Sequence, residues 1–344
     1  MASAREVGRA LGAQVVANPR FLTAVVELPG EQHLDVVTAR RERYPAPGAL
    51  PVVEAGSLAD DLARRDFSAN AMAVRLAGPA AGELVDPHGG RADLAAGRLR
   101  ALRDGAFVED PSRLVRAARY AGRLGLSMDA ATEAAAAAQA PALDPASARV
   151  AHELRRLLDD DGASAGLALL AHLGVPWLVA ADEVALDGRF AALRDALAID
   201  GAPEVPVWAL RLGVAAVPAD IHRLALPGWA RGAALEAALE GPELARRLAA
   251  AGPPSEVDRL MGAAPPPSAV AASALGADAV AVWWGSGREL RTSVRGADLV
   301  AEGIPPGPAI GRALARVRAA LLDGEIASPD EELALALRTA REQA

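Results

Sequence analysis

Cysteine is absent from the 344 residues, so neither a disulfide framework nor a thiolate metal site is open to this chain. Lysine is absent too: all 36 basic residues are arginine, beside abundant alanine and glycine, a bias that genomic base composition accounts for. No basic N-terminal segment runs into an apolar stretch, so no signal peptide is read. No run of membrane-span length is free of charge or proline, although alanine raises the mean hydropathy. These absences describe a soluble, cytoplasmic chain with no membrane partner. An excess of positive charge is missing as well. The formal net charge is −8, which does not announce nucleic-acid binding over the chain as a whole. Between Arg98 and Arg156 arginines modestly outnumber acids, a local basic face compatible with RNA. What is present is 52% hydrophobic content, enough for a sizeable core and two or more domains.

The N-terminal part reads as mixed α/β. Ala2 to Leu11 suits a helix, Ala13 to Val16 and Phe21 to Leu28 suit strands, and a turn at Pro29-Gly30 leads into a strand from His33 to Thr38. Arg40 to Ser57 reads as loop because of Pro45, Pro47, Gly48 and Pro51. Ser57 with Asp60 three residues on predicts a capping box and a helix toward Arg65. Glu83 to Val85 and Arg98 to Leu102 are short strand candidates. From Phe107 the pattern turns helical, with Leu114, Ala117, Ala118, Ala121 and Leu124 on one face. Ala130–Gln139, Ser147–Asp159 and Ala163–Leu173 continue it, and alanine-rich helix broken by Pro/Gly runs to the end. The expected fold class is α+β: an α/β head followed by an all-helical neck, body and tail.

Four segments carry chemistry. In Glu109-Asp110-Pro111-Ser112-Arg113, Asp110 and Pro111 suit a helix start. The same spacing lets Asp110 and Arg113 face one side of the first turn. A carboxylate beside a guanidinium offers an acceptor next to donors. Cytosine and adenine each present an amino donor next to a ring-nitrogen acceptor, so the pair matches C and A and opposes U and G. In Arg64-Arg65-Asp66-Phe67-Ser68-Ala69-Asn70, two guanidinium groups suit a triphosphate, while the spacing leaves Asp66 and Asn70 to hold either sugar or loop. Asp86-Pro87-His88-Gly89-Gly90 reads as a strand ending in a turn. Asp35, flanked by Val36 and Val37 on a strand, is costly there unless paired or metal-bound.

Taken in order, RRDFSANAMA, DPHGG and EDPSR, with RLVRAARYAGRLGLSMD and SARVAHELRRLL after them, closely resemble the class II tRNA nucleotidyltransferases and bacterial poly(A) polymerases. Ser68 stands where the family has Thr, and His88 where it has an aromatic residue. YPAPGALPVVEAGSLADDLARRDF resembles a bacterial subgroup, and GADLVAEGIPPGPAIGRAL a helix–hairpin element of some tails. The likeness is dense from Phe21 to Leu173, thin from Ala180 to Arg291, and weak again from Arg295 to Ile326. It implies template-independent addition of C, A or CCA to tRNA 3′ ends from CTP and ATP, with Mg²⁺ or Mn²⁺. It implies that Asp110 and Arg113 read the base, Glu109 orients Arg113, and Arg64, Arg65, Asp66, Asn70 and Arg116 complete the nucleotide site. Arg119, Arg123, Arg149 and Arg155 would face the RNA, the helical body would cradle the acceptor stem, and Asp35 would be the third metal carboxylate. The family's Gly-Gly-x-x-Arg-Asp element and its strand bearing two aspartates one residue apart do not occur here. The chain is therefore expected to begin just beyond that strand, with an incomplete head at 1–105, a nucleotide- and RNA-binding neck at 106–180 and a helical body and tail at 181–344. One carboxylate is a poor holder of two cations, so this chain alone is expected not to transfer nucleotides. A poly(A) polymerase is a variant that the non-basic tail disfavours, and a non-catalytic RNA-binding protein is the other reading. The five histidines lack ligand spacing.

Overall fold

The computed structural model describes residues 2–30, 32–46, 48–49, 51–179 and 182–342. The chain divides into two compact units, Met1–Ala180 and Ala181–Ala344.

In the first unit, β1 (Gln14–Asn18), β2 (Thr23–Glu27) and β3 (His33–Val37) form an antiparallel sheet in that order. Helix α1 (Ala2–Leu11) packs on β1 and β2 over the face that carries the buried Ala24 and Val26. The register sets Val16 against Val25 and Val25 against Asp35, so these three share the opposite face. Asp35 is exposed there, as is nearly all of β3. Water solvates its carboxylate, and the expected cost of an acid in an apolar strand does not arise.

The expected loop at Arg40–Ser57 is corrected. Arg40–Arg43 (β4) and Val52–Ala55 (β5) pair antiparallel as a hairpin. The strand Arg40-Arg41-Glu42-Arg43 has no apolar residue to alternate, and the intervening prolines masked the pairing. Pro47 and Leu50 lie outside the described residues. Helix α2 (Leu58–Ala63) opens on the expected capping box, with Ser57 and Asp60 bonding reciprocally. Short β6 (Ala73–Val74) and β7 (Leu84–Val85) pair, followed by α3 (Gly90–Ala95) and β8 (Arg98–Leu99). Asp86 accepts from the backbone N–H groups of Gly90 and Arg91 at 2.7 and 2.9 Å, which caps α3. A Cβ at Gly90 would stand 2.2 Å from the Ser68 carbonyl oxygen, so DPHGG needs glycine there because it packs on the arginine-rich segment.

Helices α4 (Ala106–Glu109), α5 (Ser112–Leu124), α6 (Ala130–Gln139), α7 (Ala148–Asp159) and α8 (Ala163–His172) complete the unit, with β9 (Ser127–Met128) pairing parallel to β8. Leu114, Val115, Ala117 and Ala118 bury one face of α5 against α7 and α8. Phe67 joins this core, its ring 6.4 Å from Phe107 and 5.9 Å from Tyr120. Helices α5 and α8 meet backbone to backbone. A Cβ on Gly122 would lie 2.3 Å from the Gly162 carbonyl oxygen, and one on Gly162 2.3 Å from the Gly122 carbonyl carbon. Gly122→Ala is therefore expected to force the helices apart and cost about 2–3 kcal/mol by overpacking. Denaturant melting would read this, and an unchanged midpoint would show that the crossing has slack.

The second unit is mainly helical in its described residues. It comprises α9 (Glu183–Leu197), α10 (Val207–Ala215), α11 (Pro218–Ile221), α12 (Gly228–Leu235), α13 (Gly241–Ala250), α14 (Pro254–Ala263), α15 (Pro266–Ala274), α16 (Ala279–Val282), α17 (Gly296–Ala301), α18 (Pro308–Leu322) and α19 (Pro329–Glu342). Trp284 is buried in the core of this unit. The GIPPGP stretch is a turn between α17 and α18, with Gly303 at φ +88° where a side chain is strained. Leu299, Ile304, Val317 and Ala336 bind that turn to α18 and α19 in one apolar cluster. Among the described residues, no helix is long and apolar enough to cross a membrane.

Candidate nucleotide-reading site

The start of α5 gathers the residues that the sequence singled out. Asp110 Oδ1 accepts from the Ser112 backbone N–H at 3.1 Å and from its hydroxyl at 2.6 Å, the capping role expected of it. Asp110 Oδ2 takes Arg116 Nη2 at 3.3 Å and is ion-paired with Arg149 Nη2. Only 4% of Asp110 is exposed. Burial works against its charge, yet the Ser112 hydroxyl and the guanidinium groups of Arg116, Arg149 and Arg113 hold its carboxyl below the usual range.

Arg113, one turn on, is 2% exposed. Its Nη1 donates to the Ala106 carbonyl at 3.0 Å and to Glu109 Oε2 at 3.1 Å. Its Nε stands 2.6 Å from Asp66 Oδ1, an ion-pair contact without hydrogen-bond alignment. Arg103 Nη2 lies 2.8 Å from the same Glu109 oxygen, so Glu109 is placed to orient Arg113. Burial opposes the Arg113 charge, but Asp66, Tyr44, Glu109 and Asp110 outweigh it and raise its pKa.

Arg116 joins the segments. Its Nε donates to Asp66 Oδ2 at 2.6 Å, its Nη1 to Glu153 Oε1 at 2.9 Å, and its Nη2 to Asp110. Burial is again outweighed, by Asp66, Glu153 and Asp110, and its pKa is raised. The arginine-rich segment, the start of α5 and α7 thus converge on one guanidinium.

The two arginines before Asp66 differ. Arg64 is bound within the chain, to Asp61 Oδ1 at 2.8 and 3.0 Å and to Glu42 Oε1 at 2.8 Å, so it holds the hairpin to α2. Arg65 donates to Asp61 Oδ2 at 2.9 Å and keeps 42% of its side chain exposed, so it is the member with reach toward a ligand. Asn70 Oδ1 accepts from the Phe67 backbone N–H at 3.1 Å, which assigns that oxygen to the loop.

The four arginines expected to face RNA separate as well. Arg123 is exposed, and Arg155 is 59% exposed beside Asp159. Arg149 is 33% exposed and spans Asp110 and the Ala49 carbonyl. Arg119 is corrected: it is 4% exposed, lies over Tyr120 with its guanidinium carbon 4.7 Å from the ring centroid, and sits 3.8 Å from both Glu153 and Asp160. On α5 it occupies the face turned to the core.

Sequence reasoning missed Glu42, Tyr44 and Asp93. Asp93 accepts from the Ser68 hydroxyl at 2.6 Å and from Arg100 Nε at 2.9 Å, tying α3 to the arginine-rich segment. Tyr44, one of two tyrosines in the chain, could have drawn notice for its rarity. Among the described residues, no group of three or more His, Asp or Glu side chains is placed to hold a metal ion. Asp35 belongs to no such group.

Residues 2–100 match the Poly A polymerase head domain. Over 331 residues the chain is 35% identical to a CC-adding tRNA nucleotidyltransferase of Deinococcus radiodurans, covering 94% of this chain and 77% of that one. Over 162 residues it is 41% identical to an A-adding tRNA nucleotidyltransferase of Halalkalibacterium halodurans, a match that spans 46% of this chain and only 38% of the relative. In three dimensions it superposes on an apo CCA-adding enzyme with a TM-score of 0.80 and 25% identity, over 98% of this chain and 84% of the other. The Thermotoga maritima CCA-adding enzyme solved with tRNA shares the fold at a TM-score of 0.74 and 22% identity, over 98% and 83% of the two chains. Head motif, likeness over most of this chain and fold agree: the chain belongs to the class II tRNA nucleotidyltransferase family, a family of enzymes.

Proposed function

We propose that this chain selects C and A nucleotides for addition to tRNA 3′ ends, with Asp110 and Arg113 as the protein-built template. The observation that carries this reading is the shared placement of the two side chains at the start of α5, each fixed by partners that leave little rotational freedom. Asp110 accepts the exocyclic amino group, and an Arg113 N–H meets the neighbouring ring nitrogen. Glu109, Asp66 and Arg116 hold the pair in register. Arg65 meets the triphosphate. Residues 1–105 act as head, 106–180 as the nucleotide- and RNA-binding neck, and 181–344 as the body against the acceptor stem, recognised by shape and phosphate contacts. Arg123 and Arg155 supply part of that phosphate contact.

Transfer joins the RNA 3′-oxygen to the α-phosphorus as the bond to pyrophosphate breaks, and the residues described here do not fit the metal ions this chemistry uses. The 344-residue chain by itself is therefore read as binding nucleotide without transferring it. Two measurements test the proposal. Calorimetry with CTP, ATP, UTP and GTP is expected to favour CTP and ATP by about tenfold or more, the size of one discriminating polar contact. Equal affinity for all four would end the templating role. Incubation with tRNA lacking its 3′ CCA, with CTP, ATP and Mg²⁺, is expected to leave the tRNA length unchanged, and extension would overturn that part.

A further inference from the structure

Arg113 has one nitrogen left to meet a base. Nη1 is taken by Ala106 and Glu109 and Nε lies against Asp66, whereas Nη2 faces the Tyr44 hydroxyl at 3.4 Å. The guanidinium carbon of Arg113 stands 5.4 Å from the centroid of the Tyr44 ring. The hydroxyl in turn donates to Glu42 Oε2 at 3.3 Å, and Glu42 also binds Arg64. Asp110 Oδ2 is likewise covered, by Arg149. Arg149, on α7, is tied to the stretch that carries Tyr44. Tyr44 begins the 44–49 stretch, the Ala49 carbonyl accepts from Arg149 at 3.4 Å, and the Gly48 N–H donates to the Glu109 carbonyl at 3.0 Å.

We infer that Tyr44 is a specificity-determining residue whose hydroxyl holds the base-reading nitrogen of Arg113 until a base bearing a free ring-nitrogen acceptor displaces it. The inference rests on the base-reading role proposed above. A phenol oxygen that both accepts from Arg113 and donates to Glu42 competes directly with cytosine or adenine for Nη2. Uracil and guanine present an N–H at the same place and have nothing to offer in exchange, so the tyrosine raises the threshold for the wrong base. Its own burial pushes the phenol pKa up, so it stays a neutral hydroxyl at working pH.

The test is Tyr44→Phe, which keeps the ring over Arg113 and removes only the competitor. CTP and ATP are expected to bind about three- to tenfold more tightly than to the parent protein, the fold-change of one neutral hydrogen bond. Unchanged or weaker binding overturns the inference. The second readout is ¹⁹F NMR of protein labelled with 3-fluorotyrosine, which has two resonances because the chain has two tyrosines, and Tyr44→Phe assigns them. Saturating CTP is expected to shift the Tyr44 resonance and leave that of Tyr120, whose ring packs on Phe67, in place. A stationary Tyr44 resonance also overturns the inference. If the parent protein prefers CTP and ATP while both Tyr44 readouts stay flat, the Tyr44 role fails alone. If the parent protein shows no preference, the base-reading role fails and takes the Tyr44 role with it.

Discussion

Arg116→Met is expected to lower the stability of the first unit by about 3–5 kcal/mol, the range for removing one partner of a buried ion pair. The side chain is 18% exposed and serves Asp66, Asp110 and Glu153 at once, so its loss leaves three shielded carboxylates short of a cation. Methionine fills much of the volume, which confines the effect to charge. The pH dependence separates this cause from lost packing. In the parent protein the Asp110 carboxyl is held below its ordinary value of 3.8, so the stability it lends is fully present above that value. That contribution is lost as pH falls through the depressed folded value, below about pH 4. Asp61, held low against its burial by Arg65 and Arg64, and Asp93, held low by the Ser68 hydroxyl and Arg100, act in the same direction. In the variant Asp110 has lost one cation and protonates more readily, so acid relieves part of the defect. Urea melts at pH 7 and near pH 4 are expected to show the gap between variant and parent narrowing with acid. A gap independent of pH would assign Arg116 to packing instead. Arg116→Lys is expected to fall between the two, because a single ammonium does not reproduce three forked contacts.

The features legible in the sequence are those whose partners lie close along the chain. The Ser57–Asp60 capping box, the Asp110 cap at the start of α5, and α6 over Ala130–Gln139 each follow from residues within a turn or two. The apolar spacing of α5 marked the face that now packs on α7 and α8. What stayed hidden depends on distant pairing. The hairpin Arg40–Arg43 with Val52–Ala55 is stabilised by Arg64 reaching Glu42 across 22 positions, a contact that no local pattern predicts. The same holds for Arg119. The resemblance implied an RNA-facing arginine there, and its burial beside Glu153, 34 positions on, is a pairing that no local pattern reveals. Asp110 and Arg113 were placed on one side of a turn by spacing alone. Tyr44 and Arg149, which cap the remaining polar atoms of the pair, lie 69 positions before Arg113 and 39 positions after Asp110.

Asp110→Asn is expected to weaken CTP and ATP binding by about 10- to 100-fold without weakening UTP or GTP. A hydrogen bond to a charged acceptor contributes about 1.5–3 kcal/mol, which sets that range. The amide keeps the length of the side chain and one oxygen, so the bonds from the Ser112 N–H and hydroxyl can persist and α5 keeps its cap. The second oxygen becomes an NH₂ facing Arg116 and Arg149, a donor set against donors. Some stability is lost there, and binding is therefore measured only where denaturation shows the variant folded. With the acceptor gone, the amino group of cytosine or adenine meets another donor, whereas the carbonyl oxygen of uracil or guanine meets one for the first time. The preference between the two classes should collapse toward unity from the CTP and ATP side. A uniform loss for all four nucleotides would place Asp110 in the scaffold beneath the site, with no part in reading the base, and the choice of nucleotide would have to be sought among the partners of Arg113.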